Sequence, residues 1–145
     1  MGTKTKSLAK GMAMKYDEGS TLDTTNKVIV SKVFKTDGMF GKTVMMLAEV
    51  TTEVVGAATT NIAWPTVQYS LDGVNFVDSP KPAITQEFTA ASNKIAVGKA
   101  LIFNVDMTNI IAPYMRVIWK TGTTGRSATT NTTAGVIKTS VTFSV

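Results

Sequence analysis

The passage 64–78, WPTVQYSLDGVNFVD, constrains the fold more than any other stretch of the chain. Val67, Tyr69 and Leu71 alternate with Thr66, Gln68 and Ser70, the period of two that sends successive side chains to opposite faces of a strand. Asp72-Gly73 then supplies turn chemistry, because Gly accepts the positive φ of a tight hairpin, and 74–77 returns. The spacing predicts an antiparallel hairpin with Val67, Tyr69 and Leu71 on its inner face. Pro80 and Pro82 close the segment, since proline has no N–H to give a central ladder.

The same period recurs along the chain. Residues 27–34 (KVIVSKVF) and 42–50 (KTVMMLAEV) read as strands separated by the turn-forming 35–41, and 86–89 reads as a short edge strand. Leu101, Phe103, Val105 and Met107 alternate with Ile102, Asn104 and Asp106. Residues 114–120 carry apolar side chains on both faces, which predicts a central strand. Ile137, Thr139, Val141, Phe143 and Val145 oppose Lys138, Ser140, Thr142 and Ser144, so the C-terminal residues are expected in a sheet. Met45-Met46-Leu47 could also suit a helix turn, but the β-branched flanks favour a strand, and no stretch makes a convincing helix. Thr, about one residue in six, favours strands through its branched Cβ. The expectation is an all-β chain: one jelly-roll-like β-sandwich of about eight antiparallel strands over 26–145, preceded by a basic, extended N-terminal arm over 1–25.

Composition narrows the chemistry. The 145 residues include no Cys and no His, which removes thiolate nucleophiles, Cys-ligated metals and the commonest general base. Glu49, Glu53 and Glu87 adjoin apolar strand sequence, and solvated strand-edge positions are the simplest reading of them. Asp72, Gly73 and Asn75 lack the further acids of a calcium loop and read as a turn held by side-chain oxygen. No catalytic residue, cofactor or metal ligand is therefore assigned, and the chain is expected not to be an enzyme. No apolar run is long enough to span a bilayer, and 1–15 has no apolar core of a secretory signal, so no membrane partner is expected.

Charged residues make up only 17% of the chain, a light load that suits a surface destined to be covered. Lys4, Lys6, Lys10 and Lys15 account for most of the net +5, and no acid accompanies them in 1–15. No basic run is interleaved with aromatics, so a protein partner is favoured over nucleic acid. The candidate contact residues are these four lysines, Trp64 and Tyr114 as surface aromatics beside prolines, and Arg126, the lone charge in the polar loop 121–135. Tyr69 and Trp119 are expected in the core.

The pattern Trp64-x-x-Val67-x-Tyr69-Ser70-x-Asp72-Gly73-x-Asn75-Phe76, followed by Ala112-Pro113-Tyr114-x-Arg116-Val117, resembles β-sandwich proteins of tailed-phage virions. Related sequences also occur in discoidin-like carbohydrate-binding modules, which are usually longer. The resemblance implies a capsid decoration, or cement, protein on the outer shell of a virion, made in the host cytoplasm. Its partners would be the major capsid protein or other virion proteins, and copies of itself, with a trimer favoured. A tail, neck or head-fibre subunit would draw on the same features.

Overall fold

The computed structural model describes residues 4–7, 11–16, 20–58, 60–126 and 131–144. Two antiparallel sheets hold the core between them, and the described residues include no helix. Numbered in chain order, the six-stranded sheet contains β1 (Lys4–Ser7), β2 (Met12–Tyr16), β6 (Thr43–Val55), β10 (Lys94–Ile95), β11 (Ala100–Asp106) and β13 (Ala134–Ser144). The seven-stranded sheet contains β3 (Thr21–Asp23), β4 (Val28–Val30), β5 (Phe34–Lys35), β7 (Ile62–Ser70), β8 (Val77–Asp78), β9 (Phe88–Thr89) and β12 (Tyr114–Gly122). The order is β1-β2-β13-β6 in the first sheet, with β10 and β11 end to end along the far edge of β6. In the second it is β3-β4-β12-β7, with β5 also on β12 and both β8 and β9 on β7.

The strand total exceeds the eight expected because several elements are only two or three residues long. Residues 27–34, for example, divide into β4 and β5. Ser31 lies between them: its N–H donates to the Val117 carbonyl at 2.9 Å, and its Oγ accepts from the Val117 N–H at 2.8 Å. A side-chain hydroxyl thus replaces one rung of backbone ladder.

Alternation places the core. Phe103, Val105 and Met107 are buried while Ile102, Asn104 and Asp106 face water. Met115, Val117 and Trp119 are fully buried on β12, which is central, flanked by β4 and β5 on one side and β7 on the other. Trp119 meets Phe103 of the opposite sheet edge-on at 6.0 Å and Phe88 at 5.4 Å. Aromatic contacts of this kind join the two layers across the middle.

Two expectations are corrected here. The described residues of 1–25 do not form an extended arm ahead of the sheets, because β2 pairs with β13 from Ser140–Tyr16 to Ser144–Met12, and β3 pairs with β4. The physical reason is burial: Ala13 enters the core, and Lys15 packs its stem inside while its ammonium finds backbone carbonyls. The second correction concerns the hairpin. β7 and β8 pair only as Gln68–Asp78 and Tyr69–Val77, so the connection is a longer loop over 70–76, and Leu71 points to solvent rather than inward.

Candidate docking surface

Ser70, Asp72 and Asn75 determine the shape of that loop. Asp72 Oδ1 accepts from the N–H groups of Val74 (2.9 Å) and Asn75 (2.8 Å), and Oδ2 accepts from Asn75 Nδ2 at 2.8 Å. Ser70 Oγ donates to Asp72 at 2.9 Å and accepts from the Gly73 N–H, also at 2.9 Å. These donors hold the Asp72 carboxyl well below the usual carboxylate range, the backbone N–H of Asn75 first among them. Gly73 adopts φ +78°, and a Cβ there would sit 3.5 Å from the Tyr114 ring, so Tyr114 is half-buried beneath the turn. Phe76 lies 4.2 Å under the Arg116 guanidinium, whose Nε donates to Gln68 Oε1 at 2.8 Å. The serine, aspartate, glycine, asparagine, phenylalanine, tyrosine and arginine of the sequence pattern therefore form one structural lock.

The lock holds apolar side chains out in water. Leu71 is 79% exposed, Val74 77% and Val77 69%. Two neighbouring loops bring more to the same end of the sandwich. The N–H of Thr36 donates to the Pro113 carbonyl and its hydroxyl to the Ala112 carbonyl (2.6 Å), while the Gly41 N–H donates to the Met107 carbonyl. These bonds tie the loop 36–42 to the loop 107–113, which carry Phe40 (61% exposed) and Ile111 (77%). Leu71, Val77, Tyr69 and Ala112 line an apolar hollow of about 360 Å³ at this end. Leu71 and Val77 border this hollow, and with Phe40, Val74 and Ile111 exposed on loops at the same end they form an apolar crown, a kind of surface that serves for contact.

Of the residues expected to make contacts, Tyr114 lies beneath this end of the sandwich, while Trp64, Arg126 and Lys15 lie elsewhere and are engaged internally. Trp64 is only 5% exposed, a correction to its reading as a surface aromatic. Alternation does turn it outward, opposite Lys120 in the register, but the segment 79–87 and Arg126 cover it. Arg126 is no free contact: Nε donates to Glu87 Oε1 at 3.1 Å, Nη1 to the Ile84 carbonyl at 2.7 Å, and its guanidinium lies 5.5 Å from the Trp64 ring centre. Trp64, Arg126, Lys81, Ile84 and Asp106 border a groove of about 560 Å³ along the side of the sandwich.

Lys15 is buried, with Nζ donating to the carbonyls of Lys35 (2.6 Å) and Asp37 (3.2 Å). Burial pushes its ammonium below the ordinary lysine range. Lys4 and Lys6 fall on β1, and Lys10 lies outside the described residues. Of the expected contacts whose side chains are described, Lys15, Trp64, Tyr114 and Arg126, none belongs to the exposed apolar crown. The crown's own signal in the sequence is apolar residues crowding turn chemistry: Leu71 and Val74 flank Asp72-Gly73, and Ile110-Ile111 precedes Ala112-Pro113.

No family model matches the chain, and no curated protein matches it.

Proposed function

We infer that this chain is a structural virion protein that decorates a phage shell, a jelly-roll-like body attached by protein–protein contact. The observation that carries the reading is the exposed crown of Phe40, Leu71, Val74, Val77 and Ile111, two of which, Leu71 and Val77, border the apolar hollow. A sandwich that presents large apolar side chains on braced loops is suited to press them into another protein, where exposed apolar clusters of this kind are covered. The sequence pattern shared with virion sandwiches supports the same reading, since its residues build the lock that holds the crown in place. The discoidin-like alternative loses its best aromatic, because Arg126 and the segment 79–87 cover Trp64.

The test is occupancy on particles. Leu71→Lys with Ile111→Lys should keep the circular dichroism of the parent and reduce binding to shells stripped of this protein by tenfold or more, about 1.4 kcal/mol. Undiminished occupancy of that variant would overturn the crown as the contact. Electron microscopy of the reconstituted particle separates the shell from the tail and neck.

A further inference from the structure

β11 has a strand on one side only. It pairs with β6, and the register is unbroken from Ala100–Glu49 to Asp106–Thr43. The bonds just beyond its ends fix which way its backbone groups point. The Val50 N–H donates to the Lys99 carbonyl at 2.9 Å, and the Met107 N–H donates to the Lys42 carbonyl at 2.8 Å. Residues 99 and 107 therefore face β6, and by alternation so do Leu101, Phe103 and Val105. The N–H and C=O groups of Ala100, Ile102, Asn104 and Asp106 face the other way, and no hydrogen bond among the described residues reaches them. All four residues are exposed, Ile102 by 55%.

A bare edge of this kind invites another strand, and proteins usually guard it with lysine, proline, a bulge or short length. Other edges here carry those guards. β1 includes Lys4 and Lys6, β13 has a bulge at Gly135, and Pro65 stands in the gap along β7. β3, β8, β9 and β10 are two or three residues long. β11 runs for seven residues with no Lys, Pro, Gly or bulge. Its ends are tied across the open side of the sandwich. Lys99 Nζ donates to the Thr89 carbonyl at 2.6 Å, and Lys81 Nζ lies 3.4 Å from Asp106 Oδ2. The two lysines bracket the edge and leave Ile102 and Asn104 open between them.

We propose that the free edge of β11 binds an extended segment of a partner protein, which joins the six-stranded sheet as a further strand. Alternating N–H and C=O groups along an edge are complementary to another extended backbone, and main-chain bonds supply the affinity in such additions. The groove beside β11 receives the segment. Asn104, Val105 and Asp106 line one side of it, and 81–86 with Arg126 line the other, so the edge opens into a slot. A slot walled on its far side admits a single extended chain, whereas the edge of a second sandwich brings its body against the wall. The inward side chains of the segment are apolar, because Val67, Ile84 and Val105 line the groove. Its outward side chains lie beside Ile102 and Asn104. The inference uses no residue of the crown and does not rest on the virion reading.

The experiment is amide hydrogen exchange, read by NMR on the full-length chain alone and with a blocked nonapeptide of alternating threonine and valine. Alone, the amides of Ile102, Asn104 and Asp106 should exchange freely, while those of Leu101, Phe103 and Val105 are protected by β6. The peptide should slow the first three by about tenfold or more and leave the second three unchanged. The same peptide with N-methylated backbone nitrogens keeps every side chain but has no N–H to give, and it should have no effect. Asn104→Pro removes an outward N–H and no bond to β6, so it should keep the parent circular dichroism and lose the slowing at Ile102. Should that variant unfold, the N-methylated peptide on the parent still decides. Leu71→Lys with Ile111→Lys should leave the peptide effect intact, and its loss there would place the peptide on the crown and overturn the proposal. Outward amides already protected in the protein alone, increasingly so with its concentration, would put a second copy on the edge and overturn it as well. So would exchange unaltered by millimolar peptide, or slowing that the N-methylated peptide also produces.

Discussion

The Arg126 guanidinium lies 5.5 Å from the centre of the Trp64 ring, and the two are 62 positions apart in the sequence. That contact, with the bonds from Arg126 to Glu87 and to the Ile84 carbonyl, fastens the segment 79–87 that runs between β8 and β9 along the edge of β7. The segment needs such a clasp, because β8 and β9 pair with β7 over only two residues each and leave 64–67 without a partner strand between them. Pro65 sits in that gap, where its missing N–H costs no ladder bond.

Replacing the clasp should loosen the segment. Arg126→Ala is expected to destabilise the fold by about 1–3 kcal/mol in urea, the range for losing hydrogen bonds from a charged donor. Arg126→Lys should recover less than half, since a point charge cannot serve a carboxylate, a carbonyl and a ring face together. Tryptophan fluorescence distinguishes local from global change. Trp64 should shift to the red as its cover leaves, while Trp119, fully buried, keeps its emission.

How far this arrangement is legible in the sequence depends on which contacts set it. The strands β11, β12 and β13 follow from alternation alone, because one side of each must be apolar whatever its neighbours are. The outward turn of Trp64 follows too, yet its burial does not, since that depends on a tertiary contact with Arg126. Leu71 belongs to an alternating run in the sequence, but the Asp72 hydrogen bonds favour a longer loop over a two-residue turn and release it to water. Met12–Tyr16 does not read as a strand in the sequence because Lys15 interrupts its inward face, and the carbonyls of Lys35 and Asp37 make that burial tolerable.

Gly135 offers a sharper test of backbone geometry. The β13–β6 register shifts between Ala134 and Val136, so Gly135 forms a bulge, with φ +131°. A Cβ there would stand 2.7 Å from Val54 Cα and 3.1 Å from the Glu53 carbonyl oxygen. Backbone cannot yield as a flexible side chain would. Gly135→Ala should therefore cost about 2 kcal/mol or more, through both the clash and the φ. Thermal melts of this variant and of Gly125→Ala separate the two causes, because a Cβ on Gly125 meets nothing within 4 Å among the described residues although its φ is also positive.

Alkaline pH should act through Tyr69. Its ring is buried, its hydroxyl donates to Met107 Sδ at 3.1 Å, and burial pushes its pKa up to about 12. In the unfolded chain the phenol ionises near 10, so above that pH the unfolded state gains a charge that the folded state resists. The stability associated with the neutral phenol is complete below pH 10 and lost as pH rises through about 12. Denaturant melts at pH 9 and pH 11 should show the parent losing stability relative to Tyr69→Phe over that interval. Equal losses in the two proteins would place the alkaline sensitivity elsewhere.

The N-terminal residues give the last prediction, and it reverses the one that a free arm would make. An arm that only reaches for a partner can be deleted without effect on the fold. Here Ala13 is in the core, and Lys15 bridges to the loop at Lys35 and Asp37 while lying 5.7 Å from the Phe143 ring centre. Removing 1–16 takes away both residues and strips one edge of β13 over Ser140–Ser144. The expected loss is about 2 kcal/mol or more, from two hydrogen bonds of a charged donor and newly exposed apolar surface. Removing only 1–10 leaves β2 on β13 and should cost clearly less. Lys15→Met tests the ammonium itself: it keeps an apolar stem but leaves two carbonyls without their donor. Because burial lowers the Lys15 pKa, the cost of holding its charge is present at neutral pH and relieved as pH rises towards 10.5. The parent should therefore gain stability over that interval relative to Lys15→Met, a trend that urea melts from pH 7 to pH 10 can follow. A deletion of 1–16 that melts with the parent would show that β2 contributes nothing to the fold and restore the free arm.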